Sequence, residues 1–155
     1  MATSAVPGAI AALLAVLRAA PALAEVNVID GPPVGDMSDQ DLLAVGWSPD
    51  GDTAAETVQD FAYAGARRRD EDFTIAGWID TWSGDSDVSV CRLRAFELLA
   101  VVEDAIRATG PNPEAPTLNG AVQWAHLTRG VLHQSNTDQG IRAGLAFTVT
   151  CRARI

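Results

Sequence analysis

The feature that most constrains the fold is a regular alternation at the C-terminal end. Apolar residues occupy every odd position from Ile141 to Ile155, and most of the positions between them hold Arg, Thr or Gly. A period of two places these apolar side chains on one face of an extended strand. A long strand with one apolar face needs neighbours, and the segment Val122 to Leu132, connected through Gln134 to Gly140, is its predicted hairpin partner.

A second hairpin is predicted in the middle of the chain. The runs Thr57 to Ala64 and Phe73 to Trp82 resemble strands, and they flank a charged tip at Arg67 to Asp72. A period of two leaves Trp78 and Trp82 on the face opposite the apolar residues of the second run. Those apolar-face residues are Phe73, Ile75, Gly77 and Ile79.

Two other segments repeat their apolar residues with the period of a helix. The first set is Ile10, Leu13, Leu14 and Leu17, and the second is Cys91, Ala95, Leu98, Val102 and Ile106. Short strands are predicted at Val26 to Ile29 and at Leu42 to Trp47. The predicted order is α-β-β-β-β-α-β-β. We expect one α+β domain over residues 1–155, with a mostly antiparallel sheet of about six strands and two main helices packed on one face.

The charge balance limits the possible partners. The chain has 20 acidic and 11 basic residues, so its formal net charge is −9, and every basic residue is Arg. A surface of that charge repels nucleic acid, which argues against a protein that reads DNA. A protein that lines a channel through which DNA slides is still compatible with this charge.

The N-terminal region partly resembles a secretory signal. Ile10 to Leu17 is apolar, and Ala22 to Ala24 looks like a cleavage site. However, Met1 to Gly8 carries no basic side chain, and Arg18 follows the apolar run, whereas a signal has the reverse order. The run is also too short to span a membrane. We therefore predict a helix of the folded domain, with a secreted domain cleaved after Ala24 as the alternative.

Residues that could bind metals lack the spacing of a metal site. Cys91 and Cys151 belong to no zinc-like motif, so we predict two buried free thiols, with one disulfide as the alternative. Asp50 to Asp52 and Asp85 to Asp87 lack the third acid and the distal Glu of a calcium loop. Turn formation and helix capping explain these acids, and a weak site shared between subunits is the alternative. We predict no catalytic residue, no cofactor and no metal.

Two histidine motifs raise one enzymatic hypothesis. His126-Leu127-Thr128 and His133-Gln134-Ser135 match the paired His-x-Thr/Ser pattern of two-histidine phosphoesterases. The histidines are seven residues apart on one predicted strand, and an odd separation places them on opposite faces. They could converge only across a bulge or a turn. We therefore predict surface or interface histidines.

Two groups of residues are candidates for contacts between subunits. Arg67, Arg68 and Arg69 form the only basic cluster, either as a solvated tip paired with the adjacent acids or as an arm that binds an acidic neighbour. Trp78 and Trp82 either anchor an interface or form a second core layer under the N-terminal helix.

Three segments carry a resemblance to a known family. They are Phe61 to Glu71 (FAYAGARRRDE), Trp82 to Asp85 (WSGD) ahead of the long helix, and the closing Phe147 to Ile155 (FTVTCRARI). Together with the order of elements, they resemble the tail terminator, or tail completion, proteins of long non-contractile-tailed phages of actinobacteria. The resemblance covers most of the chain and rests on structural signatures.

The resemblance implies a structural virion protein and no enzymatic activity. Its members form a ring, expected here to be a homohexamer, that caps the tail tube, ends tube polymerisation and provides the docking surface for the head connector. The implied partners are the chain itself, the tail tube protein and the connector or stopper protein. DNA would only pass through the lumen, and no membrane is involved. The protein would be made in the host bacterial cytoplasm and reside at the tail–neck junction of the virion.

Two alternatives stay open at this point. A head-closure or stopper protein of the neck belongs to the same structural class. A small cytoplasmic enzyme using His126 and His133 belongs to a different class and requires both imidazoles in one pocket.

Overall fold

One six-stranded sheet with two helices on one face organises the chain. The computed structural model describes residues 2–35, 41–84, 87–138 and 140–155. The elements in chain order are α1 (Val6–Ala19), β1 (Asn27–Asp30), β2 (Leu42–Val45), β3 (Ala55–Phe61), β4 (Arg69–Ser83), α2 (Val88–Ile106), β5 (Trp124–Thr137) and β6 (Gly140–Arg154). Short 3₁₀ helices occupy Pro21–Leu23 and Ala115–Thr117. The predicted α+β class and order of elements are confirmed.

The strand order is β1-β2-β4-β6-β5, and β3 pairs with β4 on the same side as β2. Among the strands of the described residues, only β1 and β2 pair in parallel. The Gly46 N–H donates to the Ala76 carbonyl at 2.7 Å, and the Ala76 N–H donates to the Ala54 carbonyl at 3.0 Å. Because Ala76 bonds both segments, β2 and β3 act as one interrupted strand along β4, and residues 47–53 leave it as a loop.

The predicted charged tip of the middle hairpin is wrong in its boundaries. The connection between β3 and β4 covers residues 62–68, and β4 already begins at Arg69. Asp70 and Asp72 lie opposite Arg154 and Arg152 of β6 in the sheet register. Because these acids have partners across the sheet, β4 continues through a segment whose sequence alone resembles a solvated turn.

The apolar core lies between the two helices and the odd-numbered face of β4 and β6. The helical side chains fully or nearly fully buried there are Ala9, Leu13, Leu14, Leu17, Cys91, Ala95, Leu98, Val102 and Ile106. Both predicted helical stripes are therefore confirmed as core, with Ile10 only half-buried at the start of the first. Asp87 accepts a hydrogen bond from the Ser89 N–H at 3.0 Å, which confirms the predicted cap of α2. The other two residues of that acidic stretch, 85 and 86, lie outside the described residues.

Both cysteines are free and buried, as predicted. The Cys91 thiol donates to the Ile141 carbonyl with a sulfur–oxygen distance of 3.4 Å. Cys151 lies ten residues further along β6, roughly 33 Å at the rise of an extended strand, so the two sulfurs cannot meet. Burial raises the pKa of the Cys151 thiol to about 12, which keeps it protonated and unreactive.

A buried carboxylate connects the N-terminal helix to the sheet. Glu71 of β4 is fully buried, and its oxygens accept from Ser4 Oγ at 2.5 Å, the Ala5 N–H at 2.7 Å, Thr57 Oγ1 at 2.7 Å and Gln59 Nε2 at 3.1 Å. Burial alone would raise the pKa of Glu71, but these four hydrogen bonds outweigh it and hold the pKa below its ordinary value of 4.5. The first turn of α1 has no acidic residue, so Glu71 supplies the negative charge that a helix N-terminus favours.

The same contacts show how α1 contributes to the folded domain. Cleavage after Ala24, as in the secreted alternative, would remove four buried side chains of α1 and two of the four donors to Glu71.

We expect Glu71→Gln to lower the free energy of unfolding by about 1–3 kcal/mol at neutral pH, because a buried carboxylate loses its charge and the new amide group faces donors. The folded-state pKa is depressed, so this stabilisation is present above the unfolded pKa and is lost as pH falls through the folded pKa. Urea titrations between about pH 7 and about pH 3 should therefore show the wild-type and variant curves converging in acid.

The control is Glu25→Gln, which makes the same chemical change at an exposed carboxylate and should alter stability by less than about 0.5 kcal/mol. A constant gap between wild type and Glu71→Gln at every pH would contradict this account of Glu71.

Candidate assembly surfaces

The face of the sheet opposite the helices, here called the polar face, carries paired rows of charge. On it Arg154 Nε donates to Asp70 Oδ1 at 2.7 Å, and Arg142 Nη2 donates to Asp80 Oδ2 at 2.6 Å. Arg152 lies 3.1 Å from Asp70 Oδ2. The hydrogen bond from Arg154 is the main reason that the pKa of Asp70 is lowered. The arginines of β6 are therefore balanced by the acids of β4 and do not form a basic patch for nucleic acid.

Trp78 lies on the polar face, as predicted, but it is half-buried within its own chain. A Cβ placed on Gly144 would lie 2.1 Å from Trp78 Cζ2, so the indole rests directly on the glycine backbone. The Trp78 and His133 rings lie 5.7 Å apart. The helices pack on the other face, so the alternative of a second core layer under the N-terminal helix is wrong for Trp78.

The loop of residues 47–53, here called the crossing loop, extends over the polar face from β2 to β5. Asp50 Oδ2 lies 3.1 Å from His133 Nε2 of β5. Between the loop and the sheet is an open cavity of about 360 Å³, with Ala76, Ala146 and Thr148 among its lining residues. Asp50 therefore connects two parts of the chain, in addition to its predicted place in a turn.

The predicted assembly residues do not form one patch. Arg67 and Arg68 are exposed in the connection before β4, and Arg69 is half-buried at the start of β4, where its backbone pairs with Ile155. Trp82 is 43% exposed near the other end of β4. Thirteen residues of extended strand separate Arg69 from Trp82, which is roughly 43 Å. Any contacts they make belong to two different surfaces.

The predicted placement of the histidines on opposite faces is wrong. A β-bulge between Leu127 and Arg129 inserts one residue into β5 and shifts the register, so His126 and His133 lie on the same face. Their partners on β6, Thr150 and Gly144, are six residues apart, which separates the histidines by roughly 20 Å. The two imidazoles therefore do not share a pocket, and the enzymatic hypothesis loses the geometry that it requires.

The sequence interpretation did not identify the exposed apolar residues of two segments, the end of β3 and the outer side of α2. Val58 and Phe61 of β3 and Tyr63 of the following turn are 64%, 70% and 72% exposed, with Val58 and Phe61 on opposite faces of the strand. The helix patch on the outer side of α2 is formed by Val90, Leu93 and Phe96, which are 52%, 63% and 46% exposed. The signal for the helix patch was present in the sequence, because these residues fall outside the apolar stripe that packs on the sheet. Exposed apolar side chains grouped in this way are typical of protein–protein contacts.

Strands β3 and β5, on opposite sides of the sheet, differ in formal charge, and β1 lies outside β2 on the same side as β3. Strand β3 pairs only with β4 and contains Glu56 and Asp60 but no basic residue. Strand β5 pairs only with β6 and contains Arg129 and two histidines but no acidic residue. Among the described residues, Arg129 has no ion-pair partner, and no strand covers the outer edge of either β3 or β5. Each edge therefore offers unpaired backbone groups to another chain.

In the described parts of the chain, no three His, Cys, Asp or Glu side chains gather as a metal site would require. None of the helices found there has the length and apolar character needed to cross a membrane. No protein-family model matches the sequence, and no curated protein matches it. The geometry of the surfaces is therefore the structural basis for a functional proposal.

We expect Gly144→Ala to destabilise the fold by about 1–3 kcal/mol, because the new methyl group would overlap the Trp78 indole and force it off the sheet. The displaced indole should also change the tryptophan fluorescence of the native protein. Gly130→Ala is the matched control, since a Cβ there would meet only ordinary contacts at 3.7 and 3.9 Å. Equal loss of stability in the two variants would contradict the tight packing of Trp78 on Gly144.

Proposed function

We propose that this protein is a tail terminator of a long-tailed phage, a structural component that forms a ring at the end of the tail tube. In this role it stops tube polymerisation and provides the surface on which the head connector docks. Support comes from the resemblance of Phe61–Glu71, Trp82–Asp85 and Phe147–Ile155 to that family, and from an order of elements like that of its members. The protein would then act at the tail–neck junction of the virion.

The observation that carries the proposal is the presence of two different, oppositely charged edges on the two sides of one sheet. A ring of identical subunits requires head-to-tail contacts, in which one surface of a subunit binds a different surface of the next. Such contacts close only when the rotation between neighbours is right, and otherwise they produce a filament. The acidic edge at β3 and the basic edge at β5 provide two such unlike surfaces.

The two ends of β4 suit contacts along the axis of the tail. If the edges of β3 and β5 contact neighbouring subunits within the ring, the two ends of β4 lie outside those contacts. One end carries the exposed Arg67 and Arg68, and the other carries the exposed Trp82. Arginine binds carboxylates through two parallel hydrogen bonds, and tryptophan is a frequent interface anchor. We assign these two ends to the tube protein and the connector.

The charge of the molecule agrees with a channel for DNA. The formal net charge is −9, and the arginines at 142, 152 and 154 are paired with acids in the same chain. Phosphate groups would meet few unpaired cations on such a surface, so DNA could pass without being held.

The test is electron microscopy of particles made from the phage genome that carries this gene with an early stop codon. We expect tails of excessive or variable length that do not join filled heads, and supplying the wild-type gene in trans should restore normal tails. Tails of normal length left unjoined would overturn the terminator role in favour of a neck connector. Intact infectious virions would overturn the structural proposal as a whole.

A further inference from the structure

We propose that the cavity beneath the crossing loop binds a small organic monocarboxylate, and that Arg129 binds the carboxylate group of this ligand. Such a site goes beyond the proposed function, because its partner is a small molecule and not another subunit. Most charged groups on the polar face have partners within the chain. Several polar groups that line this cavity have none, and together they suit one class of ligand.

Arg129 of β5 lines the cavity and has no counterion. Its guanidinium forms no hydrogen bond and no ion pair in the part of the chain that the structure describes. By contrast, Arg142, Arg152 and Arg154 on the same face are each paired with an acid of β4. A free guanidinium presents a planar fork of N–H donors that matches the two oxygens of a carboxylate. Arg129 is therefore the one arginine on the described polar face that is free to bind an external anion.

Three hydroxyl groups that line the same cavity are also free. They belong to Thr53 of the crossing loop, Thr74 of β4 and Thr148 of β6, and none of them forms a hydrogen bond within the described residues. Thr148 lies directly opposite Arg129 in the register of β5 and β6. No buried polar side-chain atom of the described residues lacks a partner, so these three hydroxyls are accessible to solvent. A hydroxyl beside a guanidinium can donate a further hydrogen bond to a bound carboxylate.

The charges around the cavity limit the charge of the ligand. Asp50 of the crossing loop also lines the cavity, but its Oδ2 lies 3.1 Å from His133 Nε2 and it forms no ion pair with Arg129. The site therefore offers one free cation. A second negative charge on the ligand would meet the carboxylate of Asp50, and like charges repel more strongly where the protein excludes part of the solvent. We therefore expect a ligand with a single negative charge.

The apolar lining of the cavity favours an anion with an aliphatic body. Ala76 and Ala146 leave space above the sheet, and Ala54 and Val131 also line this space. The cavity holds about 360 Å³, so an inorganic anion would fill only a small part of it. An aliphatic chain placed on these side chains would lose contact with water, which is favourable in proportion to the apolar area that is buried. A short-chain monocarboxylate such as butyrate therefore satisfies both Arg129 and the apolar lining.

The site is tested by titrating the full chain with butyrate at constant pH and ionic strength, with two-dimensional amide NMR spectra as the readout. We expect saturable shifts confined to residues around the cavity, with a dissociation constant on the order of 1 mM for a ligand with so few non-hydrogen atoms. Butyramide, the neutral analogue, should bind at least tenfold more weakly, because it lacks the charge that Arg129 would bind. The absence of saturable shifts with butyrate, or equal binding of butyramide, would overturn the proposed site.

Two variants test the residues assigned to the site. Arg129→Gln should weaken butyrate binding at least tenfold, and Thr148→Val should weaken it by a smaller factor, because only one hydrogen bond is lost. The matched control is Arg92→Gln, which removes an exposed arginine on the helix side of the sheet and should leave binding unchanged. The NMR spectrum of each variant also shows whether its fold is retained. Unchanged affinity in folded Arg129→Gln, or an equal loss in Arg92→Gln, would overturn the role of Arg129.

Other anions test the class of ligand. Inorganic phosphate lacks an aliphatic body and succinate carries a second negative charge, so both should bind more weakly than butyrate. Tighter binding of either anion would overturn the assignment to a monocarboxylate. The electron microscopy of tails is separate from these titrations. Long tails without butyrate binding would therefore refute the cavity site alone, and butyrate binding with normal tails would refute the terminator role alone.

Discussion

The pairing of β4 with β6 is the interaction on which the rest of the structure depends. The two strands run side by side from Asp70 opposite Arg154 to Ser83 opposite Ile141. In this register the apolar residues of both strands share one face, which both helices cover, and the acids of β4 meet the arginines of β6 on the other. If one strand slipped by one residue, its apolar side chains would move to the polar face and its charged side chains would move under the helices. Glu71 then connects α1 to this sheet through four hydrogen bonds, and none of its partners among the described residues is charged.

This register also decides which surfaces are left for partners. Charges on the polar face are largely satisfied within the chain, and Trp78 packs against Gly144 and the ring of His133. What remains unpaired lies at the edges and ends of the sheet: the strand edges of β3 and β5, Arg67 and Arg68 before β4, and Trp82 near its end. A molecule whose unsatisfied groups lie at its periphery is suited to assembly with copies of itself, and the proposed ring uses these groups for that purpose.

The sequence predicted the fold wherever a local period dominates. The alternation of β6 and the apolar stripe of α2 appear in the structure as predicted, and so does the placement of Trp78 and Trp82 opposite Phe73. Features set by distant partners were missed. Asp70 to Asp72 resembled a solvated tip because their partners lie at the ends of the chain. The bulge in β5 changes the face of every residue after it, and the predicted placement of the histidines assumed a regular strand.

In the proposed ring, the edges of β3 and β5 contact neighbouring subunits. Amide hydrogen exchange in the assembled ring and in the dissociated chain measures this directly, because the outward N–H groups of Thr57, Gln59, Gly130 and Leu132 have no ladder partner in a single subunit. We expect strong protection of these four amides on assembly, with little change in the outer face of α2. Unchanged exchange at β3 and β5 in an intact ring would contradict the account.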